Sequence, residues 1–305
     1  MSTKFGERSL PTISIVTPSF NQAEFLEDCI RSVIDQSYPR LEYVIIDGGS
    51  TDGSVDIIRR HEGRLKHWVS EPDKGQYDAV NKGFAQSTGE IMAYLNSDDK
   101  YTPWAFQVIG EIFSAFPTIE WLTAAYPLTW DEDGRAVACS CSPGFSRRAF
   151  YKGANLPGMG WHHHSFVQQE STFWRRSLWE RSGGYINSSL KLAADFELWS
   201  RFYQHGELYS VDTSLAGFRV HKDQKTASHL EEYLNEANMV LRACGGRPYG
   251  SLQTILRRPF VLLRPMPARI PILSLLSAIG LVYPSKVVAH GRREGGWRVS
   301  TTYMV

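Results

Sequence analysis

Four short apolar runs, each closed by a polar or acidic loop, limit what the first hundred residues can become. Ile13-Ser14-Ile15-Val16-Thr17, Tyr43-Val44-Ile45-Ile46, His67-Trp68-Val69-Ser70 and Ile91-Met92-Ala93-Tyr94-Leu95 have the length and β-branched content of strands. Helix-period segments lie between them at 22–36, 53–61 and 77–86. In the first, Phe25, Cys29, Ile30, Val33 and Ile34 share one stripe, and Ser50-Thr51-Asp52 offers an N-cap to the second. Continuous apolar strands that alternate with helices are buried on both faces, so the expected fold class is α/β with a mostly parallel sheet between two helix layers.

Open sheets of this kind bind ligands just beyond the carboxyl ends of their strands. The loops after Thr17, Ile46, Ser70 and Leu95 carry Pro18, Asp47, Asp52, Glu71, Asp73, Asp98 and Asp99. Five aspartates at one mouth repel each other, and a divalent cation is the natural partner for such oxygen ligands.

The second half is less regular. Residues 100–165 show little period. Asp131-Glu132-Asp133-Gly134-Arg135 has the make-up of a hairpin turn, and 153–164 that of a long functional loop. Patterning returns at 166–174, followed by a helix at 175–182, a Gly183-Gly184 break and a helix at 195–204 stopped by Gly206. Strands are expected at 208–211 and 216–220, and an amphipathic helix at 226–243. No G-x-x-x-x-G-K-[ST] occurs, and no G-x-G-x-x-G follows the first strand, which argues against P-loop and dinucleotide sites. Four cysteines in 305 residues make no disulfide framework.

Four segments in order, each at a strand end, resemble glycosyltransferase family 2, an inverting family with the GT-A fold. They are Ile15-Val16-Thr17-Pro18-Ser19-Phe20-Asn21, the run from Val44 to Gly53, the run from Glu71 to Gly83, and Gly89 to Asp99. The resemblance is strong over 11–100 and looser to about 227. It implies a GT-A-type, Rossmann-like sheet flanked by helices. Residues 1–245 would form the catalytic domain, with 11–100 as the nucleotide-binding half and 101–245 as the acceptor half. The implied activity is that of a hexosyltransferase-like enzyme of class EC 2.4. It would move a sugar from a UDP-, GDP- or dTDP-sugar to a hydroxyl of a glycan or lipid-linked acceptor.

The family's D-x-D metal motif falls on Asn96-Ser97-Asp98, with Asn in the first place and Asp99 following. The resemblance makes Asp98 the ligand of Mn²⁺ or Mg²⁺ and Asp47 the reader of the nucleotide base. It puts Pro18, Asp73, Asp78, Lys82 and Asn96 against nucleotide and diphosphate. The family's acidic motif falls on Ala193-Ala194-Asp195, which makes Asp195 the implied general base and Glu197 the runner-up. A plain helix cap is the other reading of Asp195. Gln169 and Glu170 fall in a segment that resembles the acceptor wall. His221, in Phe218-Arg219-Val220-His221 with Gln224-Lys225-Thr226 beyond, falls where a histidine reaches metal or diphosphate. Trp161, beside His162-His163-His164, is expected in the acceptor loop.

The remaining segment, 246–305, is expected to be a basic, apolar, helical tail. Residues 245–305 hold nine Lys/Arg and a single acid, Glu294, although the whole chain is only +1. Ile270 to Ser285 is free of charge but broken by Pro271 and Pro284, and is short of the roughly 20 apolar residues that span a bilayer. Apolar surface beside clustered cations suits an anionic membrane surface; packing on the catalytic domain is the other reading. With no apolar leader at the N-terminus, the expected place is the cytoplasm, at the inner face of the membrane if the tail docks there. No nucleic-acid partner is expected. Two alternatives stay open: a nucleotidyltransferase, and a non-catalytic nucleotide-sugar-binding protein.

Overall fold

The computed structural model describes residues 9–142, 144–156, 166–222, 229–249, 255–256, 266–267, 271–291 and 295–304. The four apolar runs form β1 (Ile13–Ser19), β2 (Leu41–Asp47), β3 (His67–Ser70) and β4 (Ile91–Tyr94). Helices α1 (Ala23–Ile34), α2 (Ser54–His61) and α3 (Gln76–Ala85) join them. β1 is parallel to both β2 and β4, and β2 to β3.

Beyond β4 come β5 (Lys100–Tyr101), α4 (Ala105–Ala115), β6 (Trp121–Ala124), β7 (Leu128–Trp130), β8 (Ala136–Cys139) and α5 (Arg147–Phe150). They are followed by β9 (Phe173–Arg175), α6 (Arg176–Arg181), α7 (Ala194–His205), β10 (Leu208–Val211), β11 (Ala216–Arg219) and α8 (Leu230–Ala243). The main sheet runs β3-β2-β1-β4-β9-β6-β10 and then into the C-terminal strands, with β9 antiparallel between β4 and β6. A second sheet, β5-β11-β7-β8, stands beside it. The expected turn at 131–135 closes the β7–β8 hairpin, where Arg135 N–H donates to the Asp131 carboxylate at 2.8 Å.

Each strand feeds two cores because successive side chains point to opposite faces. Ile13 and Ile15 pack with α1 and α4, while Val16 packs with α3, α7 and α8. The second core is largely aromatic. Trp121 stacks on Trp199 at 5.6 Å between centroids, and Trp174 meets Trp199 edge-on at 5.8 Å.

Helix α4 lies in the stretch that sequence patterning leaves unassigned. It is almost wholly apolar, so no charged stripe marks it, and it carries an interior glycine. Gly110 is there for close packing: a Cβ would sit 2.5 Å from the Tyr38 hydroxyl.

The C-terminal segment corrects the expectation of a helical tail. Among its described residues are β12 (Met266–Pro267), one helix, α9 (Pro271–Ala278), and a hairpin of β13 (Tyr283–His290) and β14 (Trp297–Met304). β13 pairs in parallel with β10, so the segment extends the main sheet. Phe145 N–H donates to Ser285 Oγ at 2.9 Å, and Ala149, Ala154, Tyr283 and Met304 form a small core. The turn glycines Gly291 and Gly296, bonded N–H to O at 2.9 Å, are the signal that separates two strands from a helix pair. No helix of the described residues is long and apolar enough to cross a membrane.

Candidate active site

β2 lies on one side of β1 and β4 on the other, so the loops leaving β1 and β4 diverge and open a crevice at their carboxyl ends. A cavity of about 960 Å³ occupies that crevice. Pro18, Gly48, Asp73, Asn96 and Asp98 line its first wall; Gln169, Glu170 and Asp195 line the opposite one.

The first wall is held by its own polar groups. Asp47 is completely buried. Its carboxylate accepts hydrogen bonds from Gly49 N–H at 3.1 Å, Ser50 N–H at 2.9 Å, Ser50 Oγ at 2.5 Å and Ser70 Oγ at 2.6 Å. Asp52 accepts from Ala23 N–H at 2.8 Å, which satisfies the start of α1, and from Ser54 N–H at 3.0 Å at the start of α2. Asp47, implied as the base reader, is thus turned away from the cavity and shapes the loop instead. The adjacent position in the cavity wall is Gly48, where a Cβ would lie 2.9 Å from Asp73 Oδ2 and 3.2 Å from the Phe20 ring.

Asp78 and Lys82 are also displaced from their expected place. Neither is among the residues that line the cavity. Asp78 accepts from Lys74 N–H at 3.1 Å, and Lys82 pairs with Glu71 at 3.3 Å and with Asp78 at 3.6 Å. They sit one turn apart on α3, and their charges are spent on each other and on Glu71. Asp73 does line the cavity, with one oxygen held by Gly75 N–H at 2.7 Å.

The loop after β4 carries the densest charge. Asp98 Oδ2 is 3.1 Å from His221 Nε2, and the His221 ring packs on Phe25 at 4.7 Å. Asp99 is buried and accepts from Arg219 N–H at 2.9 Å and from Asn96 Nδ2 at 3.2 Å. Burial, then the fields of Asp98 and Glu170, push the Asp99 carboxyl well above the usual carboxylate range. Asn96 receives 2.6 Å from Gln76 Nε2 on its carbonyl oxygen, so both ends of its amide are engaged. That explains the asparagine: an aspartate here has no N–H to give Asp99 and adds a like charge beside it. Arg219 pins the loop from behind through Asp98 O at 2.7 Å and Asp28 Oδ2 at 2.5 Å. Gln76 and Arg219 both lie inside the quoted motifs, yet motif spacing gave neither a role.

Asp98 and His221 fit a divalent cation. They bring one carboxylate and one imidazole into contact, and His221 Nδ1 is buried without a hydrogen-bond partner among the described residues. No group of three His, Cys, Asp or Glu among the described residues forms a complete cage. A site with one or two protein ligands suits a metal that also binds phosphate oxygens and water.

The opposite wall places Asp195 in the first turn of α7. Its Oδ1 accepts from Phe196 N–H at 2.7 Å. The backbone before the helix is satisfied from elsewhere: Glu236 of α8 accepts from Lys191, Leu192 and Ala193 N–H, each at 2.9 Å. Tyr77 donates to Leu192 O at 2.9 Å, and Asn81 exchanges two 2.8 Å bonds with Ile186, so α3 clamps the loop that delivers Asp195. Asp195 thus caps a first-turn amide of α7 and also lines the cavity. Burial pushes its carboxyl up to about 6. Glu197 does not share this setting. Arg201 grips both its oxygens at 2.9 and 2.8 Å and also bonds Tyr185 O, which removes Glu197 from the candidates for base.

Gln169 and Glu170 sit on a short 3₁₀ turn, residues Gln169–Ser171. Gln169 Nε2 donates to Tyr94 O at 2.5 Å. Gln169 Oε1 and Glu170 Oε2 are buried and have no hydrogen-bond partner among the described residues. Burial first, then the fields of Asp195 and Asp98, raise the Glu170 carboxyl to about 7. Trp161, the adjoining histidines and 224–226 lie outside the described residues.

Residues 14–123 match the model of Glycosyl transferase family 2. That segment contains β1, the Asp47 loop, the Asp73 loop and the Asn96–Asp99 loop. Over that segment, a little more than a third of the chain, the sequence is similar to this family. The chain is 41% identical over 95 residues to an uncharacterized glycosyltransferase of Mycobacterium tuberculosis, a match that covers 31% of this chain and 36% of the relative. It is 39% identical over 94 residues to the putative teichuronic acid biosynthesis glycosyltransferase TuaG of Bacillus subtilis, covering 30% and 37%. The matches thus span about a third of these relatives' length. Among solved structures, S. aureus TarS 1-349 in complex with UDP-GlcNAc aligns at TM-score 0.57 and 18% identity, over 76% of this chain and 66% of that one. The Pyrobaculum calidifontis mannosyltransferase PcManGT, solved with GDP-Man and Mn²⁺, aligns at TM-score 0.51 and 17% identity over 89% and 84%. At such identity these two speak for the fold, which is the expected GT-A type.

Proposed function

We propose that this chain is an inverting glycosyltransferase that takes a sugar from a nucleotide-sugar donor and passes it to a hydroxyl of a glycan or lipid-linked acceptor. One observation carries the reading: one cavity is lined by Asp98, which His221 contacts from behind at 3.1 Å, and by the raised carboxyl of Asp195. Solved neighbours of the same fold hold UDP-GlcNAc and GDP-Man, which supports a nucleotide sugar as the donor class.

Asp98 and His221 would hold Mn²⁺ or Mg²⁺, which offsets the charge that builds on the leaving diphosphate. Arg219 and Asn96 keep Asp98 and Asp99 in place for that task. Asp195 takes the proton from the acceptor hydroxyl as its oxygen attacks the anomeric carbon on the face opposite the diphosphate. A single base and a direct displacement invert that carbon. Phe166, Val220 and Leu230 are exposed apolar side chains on the cavity rim, which suits an acceptor with an apolar face or chain.

Membrane presentation of that acceptor is a second, weaker element of the proposal. Leu275 and Ile279 are exposed one helical turn apart at the end of α9. Binding to anionic vesicles that survives in a Leu275→Asp/Ile279→Asp variant contradicts it.

Product identity tests the main reading. Incubation with UDP-GlcNAc, GDP-mannose and a panel of other nucleotide sugars plus Mn²⁺ should release a nucleoside diphosphate. Release of pyrophosphate from a nucleoside triphosphate and sugar phosphate points to a nucleotidyltransferase. Tight binding of a nucleotide sugar with no turnover of any kind points to a binding protein.

A further inference from the structure

The polar groups of the cavity divide into those with partners and those without. Asp98 meets His221, Asp99 meets Arg219 and Asn96, Asp73 meets Gly75, and one oxygen of Asp195 meets Phe196. Among the described residues, Ser19 Oγ, Glu170 Oε2 and Gln169 Oε1 are the buried side-chain atoms of the same cavity lining with no hydrogen-bond partner, and the last two come from adjacent residues. Gln169 is only 7% exposed. A buried oxygen left without a donor costs about 1–3 kcal/mol, so two side by side call for a ligand.

The turn that carries them is firmly placed. Gln169 Nε2 is fixed on Tyr94 O at the end of β4. Thr172 Oγ1 donates to Gln168 O at 2.7 Å and bonds Thr123 Oγ1 at 3.1 Å. The pair is therefore preorganised rather than waiting to rotate into another contact.

Position says what the ligand atom is. Glu170 feels both Asp195 and Asp98, the groups at either end of the reaction. Under the function proposed above, on which this inference rests, diphosphate lies at Asp98 and the attacking hydroxyl at Asp195. The group between them is the sugar in transfer, and the atoms it offers sideways are its ring hydroxyls.

We propose that Glu170, with Gln169 beside it, binds a ring hydroxyl of the transferred sugar and so selects which donor sugar the enzyme accepts. A carboxyl pairs with a hydroxyl whether it holds its proton or not, and the Gln169 carbonyl accepts from the same or the neighbouring hydroxyl. Donors that present a hydroxyl at that ring position are favoured over deoxy analogues or epimers, because the latter leave the buried oxygens unpaired. Glu170 thus belongs to the donor sugar rather than to the acceptor wall.

The test compares binding of a nucleotide sugar with binding of its bare nucleoside diphosphate, with Mn²⁺ present, by calorimetry. The probes are UDP, GDP, UDP-GlcNAc and GDP-mannose, with a panel of further sugars and deoxy-sugars on whichever base binds. Glu170→Ala should weaken the preferred nucleotide sugar by about tenfold or more, while leaving the nucleoside diphosphate unchanged. Glu170→Gln should recover most of the loss, since its amide still pairs with a hydroxyl. The Ala variant should also lose the preference for the hydroxyl-bearing donor over its deoxy analogue. Equal losses for sugar nucleotide and nucleoside diphosphate overturn the proposal, as does unchanged donor preference. Failure of wild type to bind any of the nucleoside diphosphates is a different result and strikes the proposed function itself.

Discussion

The two walls of the cavity solve the same problem in opposite ways. On the wall built from β1 and β2, polar groups close on one another. Asp47 satisfies two backbone amides and two hydroxyls, and Asp52 joins the starts of two helices. On the wall built from Gln169, Glu170 and Asp195, carboxyls are buried, crowd each other and keep unpaired oxygens. The first wall, Ser19 Oγ aside, is satisfied by its own groups and acts as scaffold. The second is finished only by what enters the cavity. Acidity alone does not separate these roles; the hydrogen-bond partners do.

Three substitutions test that division, beginning with the largest effect. Asp98→Ala removes the carboxylate between the walls. Metal-dependent binding of a nucleoside diphosphate should fall by roughly a hundredfold, on the scale of losing a charge-assisted contact, with the fold intact. Undiminished binding, or binding insensitive to chelator, places the metal elsewhere.

Asp47→Ala should act on stability instead. It leaves the Gly49 and Ser50 amides and the Ser70 hydroxyl without their acceptor, a cost of about 1–3 kcal/mol, and lowers the melting temperature by several degrees. A folded, equally stable variant that has lost only its nucleotide preference restores Asp47 as the base reader.

Glu170→Gln gives the smallest effect and is visible only through pH. The folded-state carboxyl is raised from 4.5 to about 7, so the native state holds a proton that the unfolded chain has released. Stability therefore falls as pH rises through that window. In chelator, wild type should lose melting temperature between pH 5 and 8 by more than the Gln variant does. Parallel curves for the two proteins show that Glu170 is solvated and not strained.

The same contrast explains what was legible in the sequence. β1 to β4 appear where apolar runs are bounded by polar loops, because parallel strands buried on both faces leave little choice of residue. Asp98 and Asp195 line one cavity, and His221 contacts Asp98. Asp47, Asp78 and Lys82 do not face the cavity, because a motif fixes which residue stands at a strand end but not where its side chain turns. The Asp47 carboxylate is claimed by amides within three residues of it, a local competition that spacing does not display. Helix α4 is hard to read because little besides Gln107 and Glu111 marks its polar face, and β13 and β14 because Pro284 and the uncharged run before it mask a hairpin. Glu197, the runner-up base by motif position, is held by Arg201 four residues on, a contact that spacing does not display.

The claim at the centre of this account is that Asp195 is the base, and the pH dependence of sugar transfer tests it most directly. A carboxyl raised to about 6 accepts a proton only when ionised, so turnover at saturating donor should fall as pH drops through about 6. Asp195→Asn should keep donor affinity, lose about a hundredfold or more in turnover, and show no such acid limb in what remains. A wild-type profile that is flat between pH 5 and 8, or a variant that keeps both its rate and its acid limb, would contradict the assignment.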